Sequence, residues 1–132
     1  MPFTHAIEDR VVHIRWSGVL TQGDLEGIGK LMPQLVRQLG FVPQVLHTYD
    51  AVTGCDFPPL AVYEHSEQRR QLHIPQPSRA ASVAKTAVVR DMARVFQLLN
   101  RNPNLELEVF ATEEAARAWL LEPLAGREPA GG

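Results

Sequence analysis

Asp50 and Lys85 each close a short apolar run, VLHTYD and AASVAK, so two neighbouring strands would bring a carboxylate beside an ammonium group. Desolvated, such a pair can pass a proton as general acid and base. Left in water it is a surface salt bridge or a cap on a helix N-terminus. Thr86 follows at once, where a hydroxyl either caps a helix or touches a ligand. Arg90 and Arg94 stand one helical turn apart, a spacing that suits a carboxylate or phosphate and equally an ordinary helix surface. His47 and Tyr49 share one face of a strand, to line a pocket or to form a hydrogen-bonded pair beneath a helix. Cys55 and Asp56 belong to the polar stretch that comes after. A thiol there becomes a nucleophile only when its pKa is lowered, and no Cys–His spacing identifies a base for it.

The remaining histidines add little. His13 is expected beside His47 across the sheet, but two imidazoles without a third ligand at fixed spacing do not make a zinc site. His5, His65 and His73 are isolated. The sequence contains no phosphate loop, Gly-x-Ser-x-Gly elbow, His-Glu-x-x-His helix or dinucleotide fingerprint. No catalytic residue, cofactor or metal is assigned, and an acid/base enzyme using Asp50 and Lys85 is the minor alternative.

Thirteen basic and 15 acidic residues give a net charge of -2, a poor match for a phosphate polymer. Nucleic acid is not expected as a partner, and Arg69-Arg70 within HSEQRRQ reads as a solvated helix face. With 132 residues and 45% hydrophobic content, one core can form without disulfides or a structural metal. The lone Cys55 and the lack of a charged-then-apolar leader point to a reducing cytoplasm. No apolar run approaches the ~20 residues of a membrane helix, so no membrane contact is expected.

These residues must be carried by alternating strands and helices. Residues 3–8 and 11–17 read as a hairpin, with Val12, Ile14 and Trp16 alternating with Val11, His13 and Arg15. Ser17-Gly18 is expected to stop the second strand. Thr21 and Asp24 then form a capping box, and Leu25, Ile28, Met32, Leu35, Val36 and Leu39 mark the apolar face of a helix ended by Gly40. Pro33 predicts a kink or break. Val45–Tyr49 reads as a buried strand and residues 59–72 as a weakly amphipathic helix, exposed or mobile. Arg79–Lys85 is a strand of small residues. From Thr86 a helix buries Val88, Val89, Met92, Val95, Phe96 and Leu99. Leu105, Leu107 and Val109 alternate as a strand, and Thr112 opens a last helix anchored by Ala115, Trp119 and Leu120. Residues 1–122 are expected to form one domain and 123–132, PLAGREPAGG, a flexible tail.

Five strands and four helices linked by crossovers predict an α/β fold, a mostly parallel sheet with an N-terminal antiparallel hairpin. On the segments VLHTYDAVTGCDF and AASVAKTAVVRDMARVFQLL the chain resembles the small SpoIIAA-like proteins. That resemblance implies a βα superhelix shared with STAS domains and CRAL-TRIO lipid-transfer domains. Antagonists of the STAS type switch through a phosphorylated hydroxyl at the start of the helix after this loop. Here the aligned stretch is Asp56-Phe57-Pro58-Pro59-Leu60, so the switch is not implied, and Thr53 upstream reads as a turn hydroxyl. Two functions are in play: a non-enzymatic regulatory module binding a protein partner or its own copy, and a carrier of a small apolar ligand or lipid. The candidate contact surface is Tyr49, Asp50, Cys55, Asp56, Lys85, Thr86, Arg90 and Arg94. Strands added in sequence provide no switch point, so no deep hollow lined with ionisable groups is expected.

Overall fold

Alternation of apolar and polar residues builds the hairpin as the sequence suggests: β1 (Phe3–Glu8) pairs antiparallel with β2 (Val11–Thr21) in the computed structural model, which describes residues 3–122. The expected tail at 123–132 lies outside the described residues. Asp9, in the tight turn, takes the left-handed conformation at φ 60°, which Asp tolerates better than most residues. β2 does not stop at Ser17-Gly18. Its pairing with β3 (Gln44–Asp56) slips twice, between Arg15 and Ser17 and between Gly18 and Val19, and Gly18 at φ 71° absorbs a bulge that an L side chain would resist.

β3 is correspondingly longer than Val45–Tyr49. The stretch expected as a polar loop is strand, paired from Ser17↔Ala51 to Thr21↔Asp56. The pairing of β3 with β4 (Ser78–Val83) ends at Thr48↔Val83, so the two bulged strands run on as a two-stranded extension.

α1 (Gln22–Leu39) starts where the Asp24 carboxylate accepts the Thr21 N–H at 2.7 Å and ends at Gly40, whose φ of 76° lets its N–H reach the Val36 carbonyl. Leu25, Ile28 and Leu35 are buried. Pro33 does not break the helix, which is continuous through it. Within 4 Å, a Cβ added at Gly29 would meet, outside its own helix backbone, His65 Cε1 at 4.0 Å and nothing else. Gly29→Ala should therefore raise the unfolding free energy by about 0.5–1 kcal/mol through helix propensity. A lower denaturant midpoint for that variant would contradict this.

α2 (Pro59–Gln71), α3 (Ala87–Leu99), β5 (Leu105–Phe110) and α4 (Glu113–Leu121) complete the chain, and the sheet order is β1-β2-β3-β4-β5. Because every parallel crossover advances in the same direction with the same hand, α1, α2 and α3 share one face. α4 seals the other, its Ala116 and Leu120 packing with Leu46, Ala81 and Val83. Two helix faces agree with expectation only in part. On α3, Val89 is buried and Met92 packs against the core as expected, and Ala93 is buried too, but Val88 and Val95 are exposed at 64% and 44%. On α4, Leu120 is buried and Trp119 packs beside it, but the buried alanine is Ala116 and not Ala115, one position and a 100° step away.

Candidate ligand-binding site

Small side chains leave a gap on the three-helix face. The inward residues of β4 are Ser78, Ala80 and Ser82, and α2 packs against α1 and α3 rather than down onto the strands. The result is a cavity of about 530 Å³. Trp16, Val45, His47, Tyr49 and the small β4 residues form its floor; Ile28, Met32 and Pro33 of α1 and Ala93 and Phe96 of α3 form the walls. His65, Gln68 and Arg69 come from α2 above. The expectation that sequential crossovers leave no deep hollow is thus overturned, because strand order governs crevices at strand ends and not the height at which a helix rides over the sheet.

The floor is an aromatic ladder. The Trp16 ring lies 6.0 Å from His47 and 6.1 Å from Tyr49, with His47 and Tyr49 6.2 Å apart, all three near-parallel. Trp16 Nε1–H donates to His47 Nδ1 at 3.0 Å. Burial, helped by the charges of Arg69, His65 and His13, pushes His47 down to about 3. Burial likewise raises Tyr49 to about 12, slightly offset by Ser82 beside its hydroxyl. His47 and Tyr49 keep some accessible surface although protein surrounds both, so that surface belongs to the cavity.

On α2, Arg69 Nη2 donates to His65 Nε2 at 3.0 Å, and the His65 ring meets Phe96 edge-on at 5.6 Å. Burial first and the neighbouring guanidinium second lower His65 to about 4. The end of α2 is tied down by Asn102, whose Nδ2 donates to the carbonyls of Arg69 and Leu72 at 2.8 and 3.0 Å. Asn104 adds a bond to the Ile74 carbonyl at 2.6 Å. The HSEQRRQ segment is therefore split: Arg70 is exposed and paired with Glu67, but Arg69 is turned inward.

Of the residues singled out from the sequence, the cavity brings in Tyr49, together with its strand neighbour His47. Lys85 Nζ lies 3.5 Å from Asp50 Oδ2, and both side chains are exposed. Such a pair contributes little, so Asp50→Asn should shift stability by no more than about 0.5 kcal/mol in denaturant unfolding; a loss several times larger would show a role this geometry lacks. Thr86 caps α3 by accepting the Val89 N–H at 3.4 Å. Arg90 Nη2 reaches the Lys85 carbonyl at 3.5 Å, and Arg94 and Asp56 are exposed. Cys55 donates to Met92 Sδ at 3.3 Å, and burial raises its thiol, the opposite of the lowered pKa that an activated nucleophile needs.

His13 does not neighbour His47. Its register partner is Leu46 while Ile14 faces His47, so alternation puts the two imidazoles on opposite sides of the sheet. His13 instead bonds Glu8 Oε1 at 2.9 Å and Thr48 Oγ1 at 3.0 Å, and the bond holds the Glu8 carboxyl below its ordinary value. Among the described residues no group of three or more His, Cys, Asp or Glu side chains could hold a metal ion. None of the described helices is long and apolar enough to cross a membrane.

Solved structures share this architecture. A DUF3478-family protein with a SpoIIAA-like fold, from Shewanella loihica PV-4, aligns with a TM-score of 0.52 and 17% identity over 89% of this chain and 91% of its own. The anti-sigma factor antagonist SpoIIAA in its unphosphorylated form aligns with a TM-score of 0.52 and 18% identity, over 89% and 96%. The Bacillus cell fate determinant SpoIIAA in its phosphorylated form does so with 0.52 and 20%, over 89% and 97%. These likenesses bear on the fold. No curated protein matches the chain. The sequence profile of the SpoIIAA-like family matches residues 11–121, from the first residue of β2 to the last of α4, and the chain belongs to that family.

Proposed function

We propose that this chain is a non-enzymatic, cytoplasmic binding module that holds a small apolar or amphipathic molecule between its sheet and α1–α3. The observation that carries this is the cavity of about 530 Å³. It lies within the range of about 300–1,000 Å³ of small-molecule sites, and a void of this size is far beyond packing defects in a close-packed interior. Its wall is apolar except for a few convergent polar groups, the usual composition of such a site. The non-enzymatic part is supported by what those groups lack: the imidazoles are held neutral by burial, and the Asp50–Lys85 pair sits in solvent away from them. Native mass spectrometry of protein purified without detergent should show a retained small molecule. Protein with no such mass, and no thermal shift with any medium-chain amphiphile, would remove this reading.

A second reading, regulation through a protein partner or a second copy, is favoured by α3. Val88, Val95 and Leu98 stand exposed at 64%, 44% and 72% on one stripe of that helix. A partner would cover it without the phosphorylation switch, since Asp56-Phe57-Pro58-Pro59-Leu60 places no hydroxyl at the start of α2. Light scattering coupled to size exclusion tests self-association: a monomer at all concentrations argues against a second copy as the occupant.

A further inference from the structure

Four of the polar groups that converge on the cavity, His47, Tyr49, His65 and Arg69, each have a hydrogen-bond donor. A guanidinium can only donate, so the Arg69 Nη2 contact makes His65 Nε2 the acceptor and leaves the imidazole proton on Nδ1. Trp16 occupies His47 Nδ1 in the same way and leaves that proton on Nε2. Tyr49 stays a phenol, with a hydroxyl to give. Arg69 and His65 are in contact on α2, His47 and Tyr49 stand 6.2 Å apart on β3, and all four line the same cavity.

Arg69 itself is incompletely satisfied. Its Nη1 is buried without a hydrogen-bond partner, and the guanidinium stands 6.0 Å from the Phe96 ring. Among the described residues no carboxylate pairs with it. Glu108 also lines the cavity, but from β5, with Oε1 accepting the Gln97 side chain at 3.2 Å and the Val109 N–H at 3.1 Å. His73, the other ionisable group on the lining, is exposed beyond the end of α2. Arg69 is half-buried on the cavity lining, and a cation there without a counter-charge is costly, so a ligand carrying one negative charge that meets its accessible N–H groups removes the imbalance. One cation balances a monoanion; a dianion such as a phosphate monoester would leave net charge behind.

Building on the reading of this cavity as a ligand site, we propose that it takes an aliphatic monocarboxylate, whose carboxylate lies on the Arg69 guanidinium beside His65 and whose chain runs along Ile28, Met32 and Phe96. A planar fork of donors meeting two carboxylate oxygens gives the contact its selectivity. The apolar wall sets the length of chain accepted.

The test compares decanoate with decanol on the full-length protein by calorimetric titration. Decanoate should bind about tenfold more tightly or better, the gain expected for hydrogen bonds to a charged group. Arg69→Met retains the stem and removes the charge at the cost of the bond to His65, so its thermal unfolding is recorded beside the titration to show that it is folded. That variant should hold decanol as the unaltered protein does and bind decanoate no better than decanol. Arg69→Lys, which retains the charge but not the fork, should recover part of the preference. If both compounds bind equally and Arg69→Met changes neither, the head-group assignment fails while the cavity reading stands. If neither binds, both fail.

Discussion

Between pH 7 and pH 5 the fold should lose about 4 kcal/mol of stability, a large part of the roughly 5–15 kcal/mol that holds a domain together. His47 is pushed from 6.5 to about 3 and His65 from 6.5 to about 4, each chiefly by burial. Below 6.5 the unfolded chain takes up two protons that the folded one refuses, so protonation draws the equilibrium toward the unfolded state. Each histidine then contributes about 1.4 kcal/mol per pH unit, and the contribution is fully present above 6.5 and lost as pH falls toward the folded values. Urea midpoints across this interval provide the check. His65→Gln, which keeps an acceptor for Arg69 but does not titrate, should remove about half of the slope. A midpoint independent of pH from 7 to 5 would mean that water reaches these rings freely, and the burial of His47 and His65 beneath α2 would fall with it.

Replacing Trp16 should have the other large effect. The residue is 5% exposed, packs on Phe3 with ring centroids 4.9 Å apart, and carries the ladder to His47 and Tyr49. Trp16→Ala should cost about 3–5 kcal/mol, the range for deleting a buried aromatic. Trp16→Phe separates two causes, because it keeps a ring and loses the donor to His47 Nδ1. A buried acceptor left unpaired costs about 1–3 kcal/mol, so the phenylalanine variant should fall between the two. Equal stability of Trp16→Phe and the unaltered protein would show that the hydrogen bond contributes nothing.

The fold was legible because most of its elements obey one period each. Val12, Ile14 and Trp16 show two-residue alternation; Leu25, Ile28 and Leu35 show a helical stripe; Thr86 and Thr112 announce helix starts. Where the reading slipped, a tertiary cause prevailed. Residues 50–56 look like a loop by composition but gain a ladder with β2. On α3 and α4 the small core residues Ala93 and Ala116 were passed over, because alanine carries a weak pattern signal.

The candidate site was far less visible. Tyr49 and His47 were marked by their shared strand face, but His65 and Arg69 sit in a run of polar residues that composition assigns to solvent. Their four-residue separation, which puts them on one side of α2, was the available signal. It means something only once α1 and α3 hold that helix above the sheet. Cavities come from the distance between layers, and a linear pattern records which side faces inward but not how far away the opposite layer stands.

The unequal coverage of the two sheet faces separates durability from adaptability. Leu46, Ala81 and Val83 are clamped by α4 on one side, whereas the cavity takes its shape from α1, α2 and α3 on the other. Substitutions that reshape the cavity leave the clamped layer untouched, so their energetic effects combine nearly independently with those of changes on the α4 side. Shape on the one side and packing on the other are thus set by different residues, and a change at a floor residue such as Trp16 is felt in the larger core and not beneath α4.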